Sequence, residues 1–336
     1  MDRTTKDKIP QPLGVIACLK TGFDVVGRHI WLIALPVLLD LFLWFGPRLS
    51  IAPIINQVTQ ALTRELVTDP GTASDLTQAI EALRELGEGF NLFSLLSTAP
   101  LLNVPSLVAR LMPGVGSPLG EQNVLVAQNI GAPILWIVVL LPLGLALGFL
   151  YLNTITHSLR TAGSAGLQKG TTNSPTVVKF VRLGLFTGSL LIGTAIAGPP
   201  VLLLIGLAGA IAQPLGMLAW VFALGAVNYL LIHILFAIPS LILGERGLLR
   251  ALQESIVITR TQLPAVVGLL LLVILVHEGF NFVWTLPSSE SWSLLIGIVG
   301  NGCVATGLTA GVFIFYQDRI QVLLSRQRAA QESNSN

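Results

Sequence analysis

Six long stretches of this chain carry almost no charge, and nothing else in the sequence constrains the fold as much. They cover residues 30–45, 132–154, 183–212, 215–243, 263–286 and 292–316. A helix needs about 20 mostly apolar residues, rising 1.5 Å each, to cross a ~30 Å hydrocarbon core. Charged residues make up 11% of the chain and apolar ones 53%, whereas a soluble domain carries about 25% charged residues. The net charge is only +2. This balance excludes a soluble enzyme of ordinary surface. It also excludes a disordered chain, which needs low hydrophobicity and high charge, and it leaves no nucleic-acid partner to expect. The expectation is an all-α integral membrane bundle of six transmembrane helices, with the lipid bilayer as its first partner. Trp31, Trp136, Trp220, Trp284, Trp292, Tyr151 and Tyr316 mostly sit toward the ends of the runs, where amphipathic rings collect at headgroup level.

Other signals narrow the reading. The first eight residues are polar and the first apolar run starts only near Ile30, so that run reads as a retained helix and not a cleaved signal peptide. Two cysteines, Cys18 and Cys303, and four scattered histidines offer neither a disulfide framework nor a zinc motif. No metal and no cofactor is expected. Residues 90–112 are apolar but hold Pro100, Pro105, Asn91 and Asn103. Two prolines free backbone groups that lipid cannot satisfy. The segment therefore reads as interfacial or packed against the bundle, not as a seventh span.

Charge sets the orientation. With six spans, one side holds the N-terminus, residues 155–182, residues 244–262 and the C-terminus. Fifteen of the nineteen lysines and arginines lie there. Only Arg48, Arg64, Arg84 and Arg110 lie on the other side. Under the positive-inside rule both termini are cytoplasmic, in a cell (plasma) membrane. Residues 46–131 then form one extracytoplasmic insertion. It has helical signals of its own, from Ile54 to Leu66 and from Ser74 to Glu88.

Amphipathic stretches precede three of the spans. Leu13, Ile16, Leu19, Phe23, Val26 and Ile30 share a face before the first. Leu249, Leu252, Ile256 and Leu263 do so before the fifth. Ser174 and Pro175 open a third stretch, carrying Val178 and Val181. Three interfacial helices, each followed by a two-span hairpin, are expected.

Ionisable groups inside a membrane are functional hypotheses by default, since burying one costs about 2.5–3.5 kcal/mol on insertion scales. Counted from the cytoplasmic ends, Asp40, His233 and Thr194 fall ~15–16 Å deep, and Glu278, Asn228 and Asn301 ~21–22 Å deep. These six form the candidate intramembrane polar site. Asp40 is expected to pair with His233, and Glu278 to be held by Asn228 and Asn301. Structural glue and a proton or solute pathway are both open readings. Gly198, Pro199 and Pro200 are the candidate helix break in the third span, a feature that lines sites in transporters. The small-residue pairs Gly144/Gly148, Gly184/Gly188 and Gly307/Gly311 allow close helix approach, within the chain or in a homo-oligomer. His277-Glu278 is not a zinc motif, because neighbouring helical residues point ~100° apart. No P-loop, nucleophile elbow or dinucleotide fingerprint occurs, so no catalytic residue is assigned.

Three segments carry a family likeness: Trp31 to Asp40 behind its amphipathic lead, Phe90-Asn91-Leu92-Phe93-Ser94 through Val104-Pro105-Ser106-Leu107, and Gly244 to Ser255. Together they resemble uncharacterised bacterial multi-pass membrane proteins. The third is similar to the membrane domain fused to some glycerophosphodiester phosphodiesterases. The resemblance implies membrane architecture, without catalysis and without any active-site residue. The functional expectation is a non-enzymatic accessory or assembly component, with a membrane-protein partner or a second copy. A small-solute or ion transporter is the alternative.

Overall fold

Uninterrupted apolar sequence has one way to satisfy its backbone away from water, which is to hydrogen-bond within itself as a helix. The computed structural model describes residues 11–66, 73–97, 104–111, 116–120, 122–126, 131–161, 175–244 and 246–334, and these are overwhelmingly helical. Five helical stretches are long and apolar enough to cross a membrane: Gly131–Thr161, Thr176–Ile211, Gln213–Ile242, Leu263–Trp284 and Leu294–Gln327. A sixth arises if Val15–Arg28 and Ile30–Phe45, bent by 96°, count together. The chain is thus a helical protein with five to six membrane-length helices.

The elements run α1 Val15–Arg28, α2 Ala34–Phe45, β1 Arg48–Ser50, α3 Ala52–Leu66, α4 Ala73–Gly89, β2 Val124–Val126, α5 Gly131–Thr161, α6 Thr176–Ile211, α7 Gln213–Ile234, α8 Ala237–Ile242, α9 Leu248–Thr261, α10 Leu263–Trp284 and α11 Leu294–Asn334. They fall into two compact units. One comprises Met1–Arg28, Leu152–Val273 and Gly307–Asn336, the other His29–Tyr151 and Ile274–Thr306. The division cuts α5, α10 and α11.

In the first unit, α1 lies on α11 through glycine. A Cβ on Gly22 would stand 2.5 Å from the Gly307 carbonyl oxygen and 2.8 Å from Gly311 Cα. The pair Gly307/Gly311 therefore serves packing inside the chain. Asp318 and Arg319 clamp the start of α1: the Leu13 N–H donates to Asp318 Oδ2 at 3.1 Å, and Arg319 Nη2 donates to the Leu13 carbonyl at 2.9 Å. Helices α6 and α7 form a hairpin turning at Ala212, where a Cβ on Gly216 would meet Gly209 Cα at 2.7 Å.

Two expectations change here. Helix α6 runs without interruption from Thr176 through Pro199 and Pro200 to Ile211, so Gly198, Pro199 and Pro200 are not a break. Each proline removes one donor and crowds the carbonyl four residues back, but long flanking turns hold the helical frame. The third interfacial helix is likewise not separate, because its residues from Thr176 onward are the opening turns of α6. No proline or glycine interrupts residues 176–183, whereas Pro264, at the second position of α10, separates α9 from the helix after it. The expected cap Ser174 lies outside the described residues.

In the second unit, the insertion contains α3 and α4 packed on each other. A Cβ on Gly87 would meet the Ile55 side chain at 2.7 Å. A two-stranded parallel sheet pairs β1 with β2, Arg48 opposite Val124. Asn91 Oδ1 ties it to the next turn by accepting the N–H groups of Leu49 and Phe93, both at 3.1 Å. Residues 90–97 and 104–111 hold no helix longer than a short 3₁₀ turn. Leu92, Phe93, Leu96, Val104, Leu107 and Val108 are buried. Residues 98–103 and 112–115 lie outside the described residues.

Candidate functional site

Asp40 is the most deeply buried of the candidate groups, 1% exposed. A carboxylate can survive burial when several donors converge on it. Ser106 Oγ donates to Asp40 Oδ1, the Leu107 N–H to Oδ2 at 3.0 Å and the Val108 N–H to Oδ1 at 3.1 Å. Ser106 Oγ also accepts the Ala109 N–H at 3.0 Å. These are the free donors at the start of the 3₁₀ turn Val108–Arg110. Asp40 caps that turn from a different element and pins residues 106–108 against α2. It lies five residues before the end of α2, or about 8 Å along the axis. The apolar side of the same turn is fixed too: a Cβ on Gly297 of α11 would meet Leu107 Cδ2 at 3.2 Å.

Arg110, at the end of the same turn, pairs with Glu278 of α10 at 3.1 Å. Both side chains are about half exposed, 47% and 55%. The expected partners of Glu278 were Asn228 and Asn301, but the insertion supplies a full positive charge that two amides cannot match. Along α10, Asn281 Oδ1 and Trp284 Nε1 are buried without a hydrogen-bond partner among the described residues. Asn301 is buried within the same unit as Glu278.

His233 sits in the other unit. Its Nδ1 lies 2.7 Å from the Tyr229 carbonyl, one turn back on α7. Asp40 is thus bonded by residues 106–108 of its own unit, and the His233 Nδ1 bond is to its own helix. Just beyond His233 the chain breaks between α7 and α8, at Leu235 and Phe236. Ser255 of α9 repairs that break. Its hydroxyl donates to the His233 carbonyl at 2.6 Å and accepts the Phe236 N–H at 3.1 Å.

Beside it lies a polar cluster that the sequence reading left unassembled. Glu254 Oε2 accepts from Ser240 Oγ at 2.7 Å and from the Tyr316 hydroxyl at 3.0 Å. Its other oxygen lies 3.2 Å from Arg246 Nε and 3.6 Å from Arg250 Nε. The Arg250–Glu254 pair is the four-residue spacing visible in sequence. Ser240 and Tyr316 come from α8 and α11, and no local pattern announces them.

Thr194 and Asn228 combine two features that none of the other four has together. Both are exposed, and both turn back on their own helix: Thr194 Oγ1 donates to the Leu190 carbonyl and Asn228 Nδ2 to the Leu224 carbonyl, each at 2.8 Å. The six candidates divide between the two units, with Asp40, Glu278 and Asn301 in one and Thr194, Asn228 and His233 in the other. No group of three His, Cys, Asp or Glu able to hold a metal occurs among the described residues. No family model matches the chain, and no curated protein or solved structure matches it either.

Proposed function

We propose that this chain is a six-pass protein of the plasma membrane with both termini cytoplasmic, acting as a non-enzymatic accessory or assembly component. In this reading α1 is the interfacial helix and α2, which leaves it at a 96° bend, is the first span. Helix α9 lies in the inner interface, and residues 46–131 fold outside as a helical cap. The asymmetry of lysine and arginine supports the orientation. The observation that carries the functional reading is Asp40: its carboxylate is wholly occupied in holding residues 106–108. A proton or ion carrier needs a group free to exchange its partner, and this one has three donors fixed on it.

The test is reconstitution into liposomes with flux measured against a panel of ions and small solutes, beside thermal unfolding of the same variants. Asp40→Leu leaves the Leu107 and Val108 N–H groups without a partner, at about 1–3 kcal/mol each. The expected result is a lower Tm and no flux in either wild type or variant. A wild-type flux abolished by Asp40→Asn at unchanged Tm would overturn the reading.

The transporter alternative draws on Arg110–Glu278, with Asn281 and Trp284 one and two turns further along α10. A half-exposed ion pair next to unfilled polar atoms is where a small polar solute would bind. Flux lost in Glu278→Gln but kept in Asp40→Asn would favour it.

A further inference from the structure

The α6–α7 hairpin exposes apolar side chains over almost its whole surface, Ile192, Ile196, Leu203, Val221 and Phe222 among them. Such a surface suits lipid, which makes its two polar residues the anomaly. Thr194 lies 18 residues before the turn at Ala212 and Asn228 16 residues after it, about 27 and 24 Å along their axes. They stand at one level, near the middle of the hairpin, on adjacent helices. A side-chain amide offers two donors and one acceptor oxygen. Asn228 spends one N–H on the Leu224 carbonyl. Its oxygen and second N–H have no partner among the described residues. In hydrocarbon that deficit is costly, and a partner helix is the usual remedy.

The backbone around both residues is open for such a partner. Gly225, three residues before Asn228, and Gly198, four after Thr194, have nothing within 4 Å of a would-be Cβ. By contrast, Gly22 and Gly216 are filled from within the chain. We propose that this mid-hairpin level is a self-association surface, where the Asn228 amide of one copy bonds the Asn228 amide of a second across the open glycines. A second copy is the occupant that fits, because an amide presents donor and acceptor together and is complementary to itself. In a two-fold contact a residue near the axis meets its own copy, which is where this proposal puts Asn228. The inference rests on the hairpin lying in the bilayer.

The experiment is energy transfer between donor- and acceptor-labelled copies in phosphatidylethanolamine/phosphatidylglycerol liposomes, followed as lipid dilutes the protein. Wild type should give transfer above the random-proximity level. Asn228→Leu should move the half-dissociation point to about threefold to tenfold higher protein density, the range measured for such bonds. Gly225→Ile should act in the same direction by blocking approach, while Asn228→Gln should retain association. Leucine on an exposed apolar helix is compatible with the fold, and Gly225→Ile tests the surface without touching the amide. Wild-type transfer at the random level, or transfer unchanged in both Asn228→Leu and Gly225→Ile, overturns the proposal. A parallel measurement separates the two readings. Asn228→Cys, in a chain otherwise free of cysteine, should resist a membrane-impermeant maleimide. Labelling there would overturn both the bilayer placement and the dimer, whereas protection without transfer would overturn the dimer alone.

Discussion

At the scale of single residues, polar side chains in this protein mend backbone. Asp40 supplies acceptors to a turn that lacks them, Ser255 bridges the gap between α7 and α8, and Asp318 with Arg319 holds both polar groups of Leu13. Removing the mender leaves buried groups unpaired, which costs more than an ordinary hydrogen bond contributes. Ser255→Ala is therefore expected to lower stability by about 1–3 kcal/mol. Thr261→Ala, which removes only bonds back to carbonyls of its own helix, should change it little. Thermal unfolding in detergent, run on both variants, checks the difference, and equal Tm values would refute the assignment of Ser255. None of these menders was legible in the sequence. A serine is visible, but the groups it serves lie 19 and 22 residues away, and those of Asp40 lie 66 to 68 residues away.

At the scale of elements, glycine and proline read differently. The expectation that Gly307 and Gly311 admit a neighbouring helix holds inside the chain, and the visitor is α1 through Gly22. Gly22→Val should prevent α1 from docking, because its Cβ has only α11 backbone to meet, whereas Gly27→Ala, with nothing within 4 Å, should be tolerated. Proteolysis of the α1 segment in each variant distinguishes the two. Proline was the poorer guide. Pro199 and Pro200 look like a break, yet they sit within one 36-residue helix. Replacing both with alanine restores two donors and should raise the thermal stability of the protein. A fall in Tm would mean that the prolines are needed where they stand. Helix existence was legible because runs of 20 or more apolar residues admit little else. The three-residue strands β1 and β2 were not, since a strand that short has no room for an alternating pattern.

For the whole molecule, the count of membrane-length helices follows from the sequence to within one, and the difference lies in the bent pair α1–α2. Residues 30–45 would rise about 24 Å as a single helix, short of a ~30 Å core, which is why α1 and α2 together decide the number. Cysteine reporters placed at Gln11 and Glu81, either side of the bent pair, are expected to label from opposite faces of sealed vesicles. Labelling from the same face would remove the sixth crossing and with it the orientation derived from charge. The candidate site was legible residue by residue but not as an assembly, because helical periodicity sets depth along an axis and says nothing about which helices adjoin. The clamp on Leu13 has a last consequence, for biosynthesis. Its two gripping residues lie about three hundred positions downstream, and a ribosome adding 5–20 residues per second needs about 15–60 s to reach them. Throughout that interval α1 must lodge somewhere without its final seat, so synthesis of Asp318 and Arg319, not of α1 itself, sets the earliest moment at which that helix can lock in place.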